Sequence, residues 1–241
     1  MSPEILAQLA PTGVLRAGIN TGNFLLVTGK SADGDPEGVA PDMAREVGRR
    51  LGVPVKLVPF KTPGELADAA TAGVWDIGLV GAEPQRAEQI AFTAAYCEIE
   101  STYLVPAGSR LETVAEVDAP GMRIAVTARA AYGLWLDRNI KRATLVKSET
   151  LDSAFDQFVA EKLDALAGLR PRLLADVEKL PGARILAGNF TTVQQAIGTA
   201  RKNAAGAEFL RDFVEQAKAS GFVARAIERH KVRGLSVAPK A

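Results

Sequence analysis

The residues whose types and spacing point most directly to chemistry lie between Val74 and Tyr96, in VWDIGLVGAEPQRAEQIAFTAAY. Arg86 is central among them, because a planar guanidinium grips a carboxylate through two parallel hydrogen bonds. It follows Gly81 and Ala82, which are small enough to let backbone approach a ligand. Pro84 fits the first position of a helix. Upstream, the apolar run from Trp75 to Val80 is broken only by Asp76 and Gly78, as in a strand buried on both faces. A strand end, a small-residue turn and a helix start carrying an arginine together make a carboxylate site. In this reading the backbone N–H groups of Gly81 and Ala82, the positive helix end and Arg86 share the anion. Glu83 is the acid at the same turn. The bland alternative makes Arg86 a surface arginine pairing with Glu83.

Little else in the chain could do covalent or metal chemistry. Cys97 is the single cysteine, so no internal disulfide forms, and it reads as a small buried hydrophobe. His230 is the single histidine, set between Arg229 and Lys231, and reads as a solvated helix end. A zinc site or a Ser-His pair finds no support in such a set. No catalytic residue, metal or cofactor is expected. The 241 residues suffice for one large or two small domains. With 47% hydrophobic and 24% charged residues, the composition is that of an ordinary globular chain. A net charge of +1 with acids and bases interspersed points to neither nucleic acid nor a membrane surface. No stretch approaches the ~18 apolar residues of a membrane span. The first twenty residues show neither a basic start nor the apolar segment of an export signal. A periplasmic protein whose signal has been removed and a cytoplasmic protein are both compatible with that.

Elements that could position Arg86 follow in order. Val14–Asn20 reads as a strand running into the turn Asn20-Thr21-Gly22-Asn23-Phe24. Residues 41–51 form a helix with Met43, Val47 and Leu51 on one face and Gly52 as its cap. Residues 53–58 form a strand, and Thr62-Pro63-Gly64-Glu65 is a capping box that opens a helix ending near Gly73. Alternation of strand and helix argues for parallel βαβ units. A second copy of the pattern follows: Thr150 opens another amphipathic helix, and Asp164 lies as far beyond it as Asp76 lies beyond Thr62. Both copies end in a buried strand closing on glycine, at Gly81 and Gly168. Between and after them lie strands near 101–106, 122–127, 143–147 and 190–197, and helices near 130–138 and from Pro171. A helix over 204–220 presents Phe209, Leu210, Phe213, Val214 and Ala217 as one stripe.

The segment WDIGLVGAEPQRAEQIAFTAAY resembles the corresponding motif of the family 3 solute-binding proteins, the amino-acid receptors of ABC importers. The resemblance extends to VLRAGINTGNF, GVAPDMAREVGRRLGV and FLRDFVEQAKASGFVARAI. It implies an α/β, two-lobed, type II periplasmic-binding-protein fold. Each lobe is then a mostly parallel sheet flanked by helices, and two crossover strands act as a hinge. Residues 1–104 with 193–241 would form one lobe and 105–192 the other. The family's ligand site falls on Asn20, Asn23, Phe24, Gly81, Ala82, Glu83 and Arg86 from the first lobe. Thr127, Tyr132, Gly168 and Leu169 face it from the second.

Several positions depart from the family pattern. Gly81 stands where a Ser or Thr usually holds the ligand carboxylate, and Glu83 replaces the Thr before Pro84. Leu169 occupies the place of the acid that takes an amino acid's ammonium. Thr127-Ala128-Arg129-Ala130 keeps one hydroxyl, that of Thr127. An ammonium buried without acceptors is costly, so the usual grip on an α-amino acid is half missing. Arg129 and Arg170 fall in loops near the mouth of the family's cleft. The balance favours a small carboxylate over lysine or arginine, unless both arginines point to solvent and Phe24, Tyr132 and Leu169 set selectivity by apolar contact. The function implied is a monomeric receptor that closes on a small ligand and serves an ABC permease. Two alternatives are an enzyme on the same scaffold, similar to cyclohexadienyl dehydratases, and a cytoplasmic ligand-sensing module.

Overall fold

The computed structural model describes all residues 1–241. The chain divides into two compact units, Met1–Glu98 with Gln194–Ala241, and Ile99–Val193. The first boundary therefore falls earlier than the expected residue 104.

In chain order, α1 (Pro3–Leu9) leads into β1 (Leu15–Asn20) and a short hairpin of β2 (Gly29–Lys30) and β3 (Pro36–Glu37). Then come α2 (Val39–Leu51), β4 (Val55–Phe60), α3 (Pro63–Asp68), β5 (Ile77–Gly81) and the single turn α4 (Pro84–Ala87). The long β6 (Ile90–Val105) carries the chain into the second unit. There follow β7 (Arg123–Thr127), α5 (Ala131–Asn139), β8 (Thr144–Ser148), α6 (Leu151–Ala160), β9 (Ala165–Leu169), α7 (Arg170–Val177) and β10 (Arg184–Ile185). The return strand β11 (Thr191–Ala200) precedes α8 (Ala204–Ala219), α9 (Phe222–Arg229) and β12 (Ser236–Val237).

In the first unit the strand order is β4-β1-β5-β11-β6. β1 runs parallel to both β4 and β5, and β11 pairs antiparallel to β5. All five residues of β5 are buried, as its unbroken apolar run requires. Leu66, Trp75, Val80 and Ile90 form one core cluster, and the Trp75 indole donates to the Leu66 carbonyl at 3.0 Å. The second unit repeats the arrangement. β7 runs parallel to β8 and β9, and β6 closes antiparallel on β9. Its core joins Leu104, Ala125, Phe158, Leu163, Leu166 and Leu173.

The matching intervals of the two sequence copies have a structural cause. In the first unit the Asp76 carboxylate accepts the backbone N–H of Arg16 at 2.8 Å and its guanidinium at 2.6 and 3.0 Å. Asp76 returns its own N–H to the Arg16 carbonyl, and its carbonyl takes the Thr199 hydroxyl. Arg16 also donates to the Gly73 carbonyl. In the second unit Asp164 accepts the Arg123 N–H at 2.7 Å and returns its own N–H to the Arg123 carbonyl. Arg123 then donates to the Glu161 carbonyl. Each aspartate thus fastens a third strand to the start of a first one. The helices ahead of them open on capping boxes at Thr62 and Thr150.

Other expectations need correction. The helix opened by Thr62 stops at Asp68, with turns filling the distance to Gly73. β6 begins at Ile90 rather than near Ser101, because its first half pairs within the first unit. Gly221, with φ of 74°, follows α8 as the expected left-handed glycine cap, but a separate helix, α9, begins right after it. His230 is not a solvated helix end. Its Nε2 lies 2.9 Å from Asp42 Oδ2, which also takes the Arg229 guanidinium at 3.0 Å, so the end of α9 is tied to α2. Cys97, by contrast, is fully buried as its reading as a small hydrophobe requires, and burial pushes its thiol well above the ordinary range.

Two predictions follow from this packing. Asp76→Ala should cost about 3 kcal/mol, the lower end for removing one partner of a buried pair, since Arg16 keeps some contact with water. Asp164→Ala, losing mainly a backbone acceptor, should cost about 1–2 kcal/mol. Urea unfolding of both variants measures this, and equal losses would contradict the asymmetry. The second prediction concerns the only three tyrosines, Tyr96, Tyr103 and Tyr132. All are buried, and desolvation of the phenolate raises each above its ordinary value, Tyr132 to about 12. A raised folded value supports stability below the unfolded pKa of ~10 and loses that support as pH climbs through the folded values. Tyrosinate absorbance should therefore stay flat near pH 10 and rise only as the protein unfolds. A reversible step near pH 10 in the folded protein would refute this.

Candidate functional site

Within each unit the candidate residues lie at or just beyond the C-terminal ends of parallel strands, where open α/β sheets bind ligands. In the first unit Ile19 of β1 sits opposite Leu79 of β5, so Asn20 and Gly81 finish their strands on the same edge of the sheet. Asn20 is buried, and its side-chain oxygen accepts the Gly22 N–H at 3.2 Å. Gly22 is required there, because a Cβ would lie 2.6 Å from the Lys61 carbonyl oxygen. Asn23 is also buried and folds the loop on itself, accepting the Leu25 N–H through its side chain and those of Leu26 and Val27 through its carbonyl. Such local closure is the usual role of Asn in a turn. Phe24, next along the loop, stays 40% exposed.

Arg86 is not a surface arginine. It is 6% exposed, and one of its terminal N–H groups donates to the Gly81 carbonyl at 2.7 Å. A guanidinium buried at a strand end and anchored by the strand's own carbonyl has its position set in advance. Two parts of the expected anion grip are revised. The Ala82 N–H donates to the Gln194 carbonyl at 2.7 Å, continuing the β5–β11 ladder, so it belongs to the sheet. The turn α4 spans only Pro84–Ala87, and one turn sums too few peptide dipoles to make a charged helix end. Glu83 takes the position before that turn without capping it through its side chain. Because successive N–H groups along a strand face opposite edges, the Gly81 N–H faces away from β11.

The second unit offers hydroxyls. Register between β7 and β9, with Ala125 opposite Leu166, carries Thr127 level with Gly168. Both lie at strand ends, with Leu169 buried just beyond. Tyr132 sits in the first turn of α5, drawn against the end of β7 because Gly133 leaves room: a Cβ there would lie 2.5 Å from the Thr127 carbonyl oxygen. The Tyr132 hydroxyl and Thr127 Oγ1 are neighbours and both fully buried, yet neither reaches a protein partner in hydrogen-bond geometry. Buried polar atoms of this kind call for an explanation in a native structure. Arg129 takes the left-handed conformation, with φ of 59°, and is exposed. Arg170, expected near the mouth, is instead bound to Glu100 at 2.6 Å and to the Gly188 carbonyl.

Two features escaped the sequence reading. Asp176 is 1% exposed and takes Arg172 at 2.8 Å and Lys179 at 3.1 Å, and its charge is felt at the Tyr132 phenol. The spacing of Arg172 and Asp176 along one helix was a legible signal. Gln195 lies opposite Gly81, is 3% exposed, and its side-chain oxygen is buried without a protein partner. A lone strand glutamine offers no such signal. No group of three or more His, Cys, Asp or Glu side chains is placed to hold a metal ion. No helix is long and apolar enough to cross a membrane.

Comparison with known proteins gives these features a context. A mutant of ArgBP from T. maritima is similar over 95% of this chain and 100% of its own, with a TM-score of 0.74 and 21% identity. The ancestral amino acid-binding protein AncCDT-1, a precursor of cyclohexadienyl dehydratase, is similar over 93% and 97%, with a TM-score of 0.75 and 19% identity. A binding component of an ABC transporter from Wolinella succinogenes, complexed with lysine, is similar over 90% and 95%, with a TM-score of 0.74 and 22% identity. Likeness at this identity establishes the fold, the mixed α/β architecture of type II periplasmic binding proteins. In sequence, the cyclohexadienyl dehydratase of Pseudomonas aeruginosa is 26% identical over 165 residues, which make up 67% of this chain and 61% of that protein. The model of bacterial extracellular solute-binding proteins, family 3, matches residues 16–232. The chain belongs to family 3 of the bacterial extracellular solute-binding proteins.

Proposed function

We propose that this protein is a receptor that closes on a small carboxylate-bearing ligand, an amino acid or related organic acid, outside the cytoplasm. It acts as a monomer and hands the ligand to an ABC permease. The observation that carries this reading is Arg86, buried at the end of β5 and held by the Gly81 carbonyl. A guanidinium in that position meets a carboxylate without first being ordered, and preorganisation of this kind strengthens binding. Support also comes from the buried, unpartnered oxygens of Thr127, Tyr132 and Gln195, which are polar atoms suited to a ligand's remaining groups. Asn20, Asn23, Phe24, Glu83, Gly168 and Leu169 complete the proposed contact set. Ala82 contributes its small size, its N–H being committed to the sheet.

Selectivity in this reading rests on what is missing. Leu169 supplies no charge for an ammonium, and the nearby acid Asp176 is already paired with Arg172 and Lys179. Arg170 is bound to Glu100 and adds nothing to the anion grip, which in this reading falls to the buried guanidinium of Arg86. Glutamate, succinate or leucine should therefore outcompete lysine and arginine, even though the Wolinella succinogenes protein was crystallised with lysine. The alternative, a dehydratase on the same scaffold, has behind it the Pseudomonas aeruginosa relative at 26% identity. Such chemistry needs a positioned general acid, and Glu83 is the acid at the turn.

Arg86→Ala should fold normally and weaken ligand binding by about 2–5 kcal/mol, the range for truncating one partner of a buried charge pair. Calorimetry with the best ligand of a panel of glutamate, succinate, leucine, lysine and arginine measures it. Unchanged affinity would refute the anchor, and tightest binding of lysine would refute the selectivity. Cyclohexadienyl dehydratase turnover that is abolished in Glu83→Gln would replace the receptor reading with the enzymatic one.

A further inference from the structure

The second unit contains a cavity of about 240 Å³ that none of the candidate ligand-site residues lines. Pro106 follows β6, Phe158 and Val159 end α6, and Leu180 and Pro181 follow α7; together they give it an apolar wall. Phe158 is buried, while Val159 is 45% exposed at the opening. Leu163, also in the wall, comes just before β9, whereas Thr127 and Leu169 end their strands. The cavity therefore lies at the opposite edge of the sheet, roughly 15–20 Å from the candidate ligand site at strand spacing. Its volume is below the ~300–1,000 Å³ of pockets for drug-sized molecules and suits a single ring or a short branched chain.

Lys162 is the one charged side chain in the lining. Its ammonium makes no ion pair or hydrogen bond in the structure, and the neighbouring Glu161 is occupied with Gln157 and faces Arg123. Lys162 also holds a φ of 51°, a left-handed conformation that costs a side-chain-bearing residue about 1 kcal/mol relative to glycine. The corresponding turn of the first unit, between α3 and Asp76, uses Gly73 with φ of 66°. The first unit meets the left-handed position of this turn with a glycine, three residues before Asp76, whereas the second meets it two residues before Asp164 with a lysine at the rim of an apolar cavity. An unpaired cation over an apolar concavity complements one kind of molecule, an anion with an apolar body.

We propose that this cavity is a second ligand site, taking a small apolar monocarboxylate such as an aromatic or branched-chain acid, with the ring or chain against Phe158 and Leu180 and the carboxylate on Lys162. The site is independent of the Arg86 site and does not rest on the receptor reading.

Phenylacetate is the probe, titrated into the full chain and followed through backbone amide shifts in nitrogen-15 NMR, with phenethylamine as the cationic counterpart. Phenylacetate should shift the amides of Ala107, Val159 and Leu163, and phenethylamine should not. The same shifts should persist in Arg86→Ala, which separates them from any carboxylate binding at the strand ends. Lys162→Gly should weaken the titration by roughly fivefold, while the melting temperature stays level or rises. Val159→Glu, an exposed change that narrows the opening and repels an anion, should remove it. Absence of shifts at these amides, equal shifts with phenethylamine, or undiminished binding in Lys162→Gly would overturn the proposal.

Discussion

The Asp76 carboxylate is the point on which the first unit turns. It takes three hydrogen bonds from Arg16, and its backbone groups engage Arg16 and Thr199. Three strands, β1, β5 and β11, are thereby brought to common register at one edge of the sheet. A carboxylate that is 6% exposed is tolerable only because its charge is balanced and its lone pairs are filled. Register fixed at that edge is also fixed at the other. With Ile19 opposite Leu79, Asn20 and Gly81 must emerge together, and Arg86 can reach back to the Gly81 carbonyl.

The second unit solves the same problem with a lighter fastening. Asp164 takes the backbone of Arg123 but not its guanidinium, which goes to the Glu161 carbonyl. β7 and β9 are aligned as a result, and Thr127 comes level with Gly168. The two units then differ in what their strand ends present. The first presents a buried guanidinium and a buried amide oxygen at Gln195. The second presents two buried hydroxyls, with its one nearby acid already spent on Arg172 and Lys179. Buried polar atoms without partners are rare in a finished core; those of Tyr96, Ser101 and Glu215 lie elsewhere in the fold, whereas Gln195, Thr127 and Tyr132 lie beside strand ends. The copies also diverge in the turn before each aspartate: its left-handed residue is Gly73, three positions before Asp76, in the first and Lys162, two positions before Asp164, in the second.

Local chemistry determined most of the element pattern from the sequence alone. The buried run at β5, the Thr62 and Thr150 capping boxes, the Gly52 cap and the apolar stripe of α8 each depend on residues within a few positions of one another. The paired intervals ending at Asp76 and Asp164 exposed the repeat, and the motif around Arg86 identified the family. Tertiary structure decided whatever depended on a distant partner. His230 reads as a charged helix end until Asp42 is found beside it, and Arg170 reads as a site residue until Glu100 takes it. Ala82 looks available until Gln194 arrives on β11 to claim its N–H, and Arg86 is distinguishable from a surface arginine only once the sheet closes over it. The physical reason is common to all four. A hydrogen-bonding group declares its own capacity in the sequence, but burial and the choice of partner are set by long-range packing, which removes water and leaves only the neighbours that the fold provides.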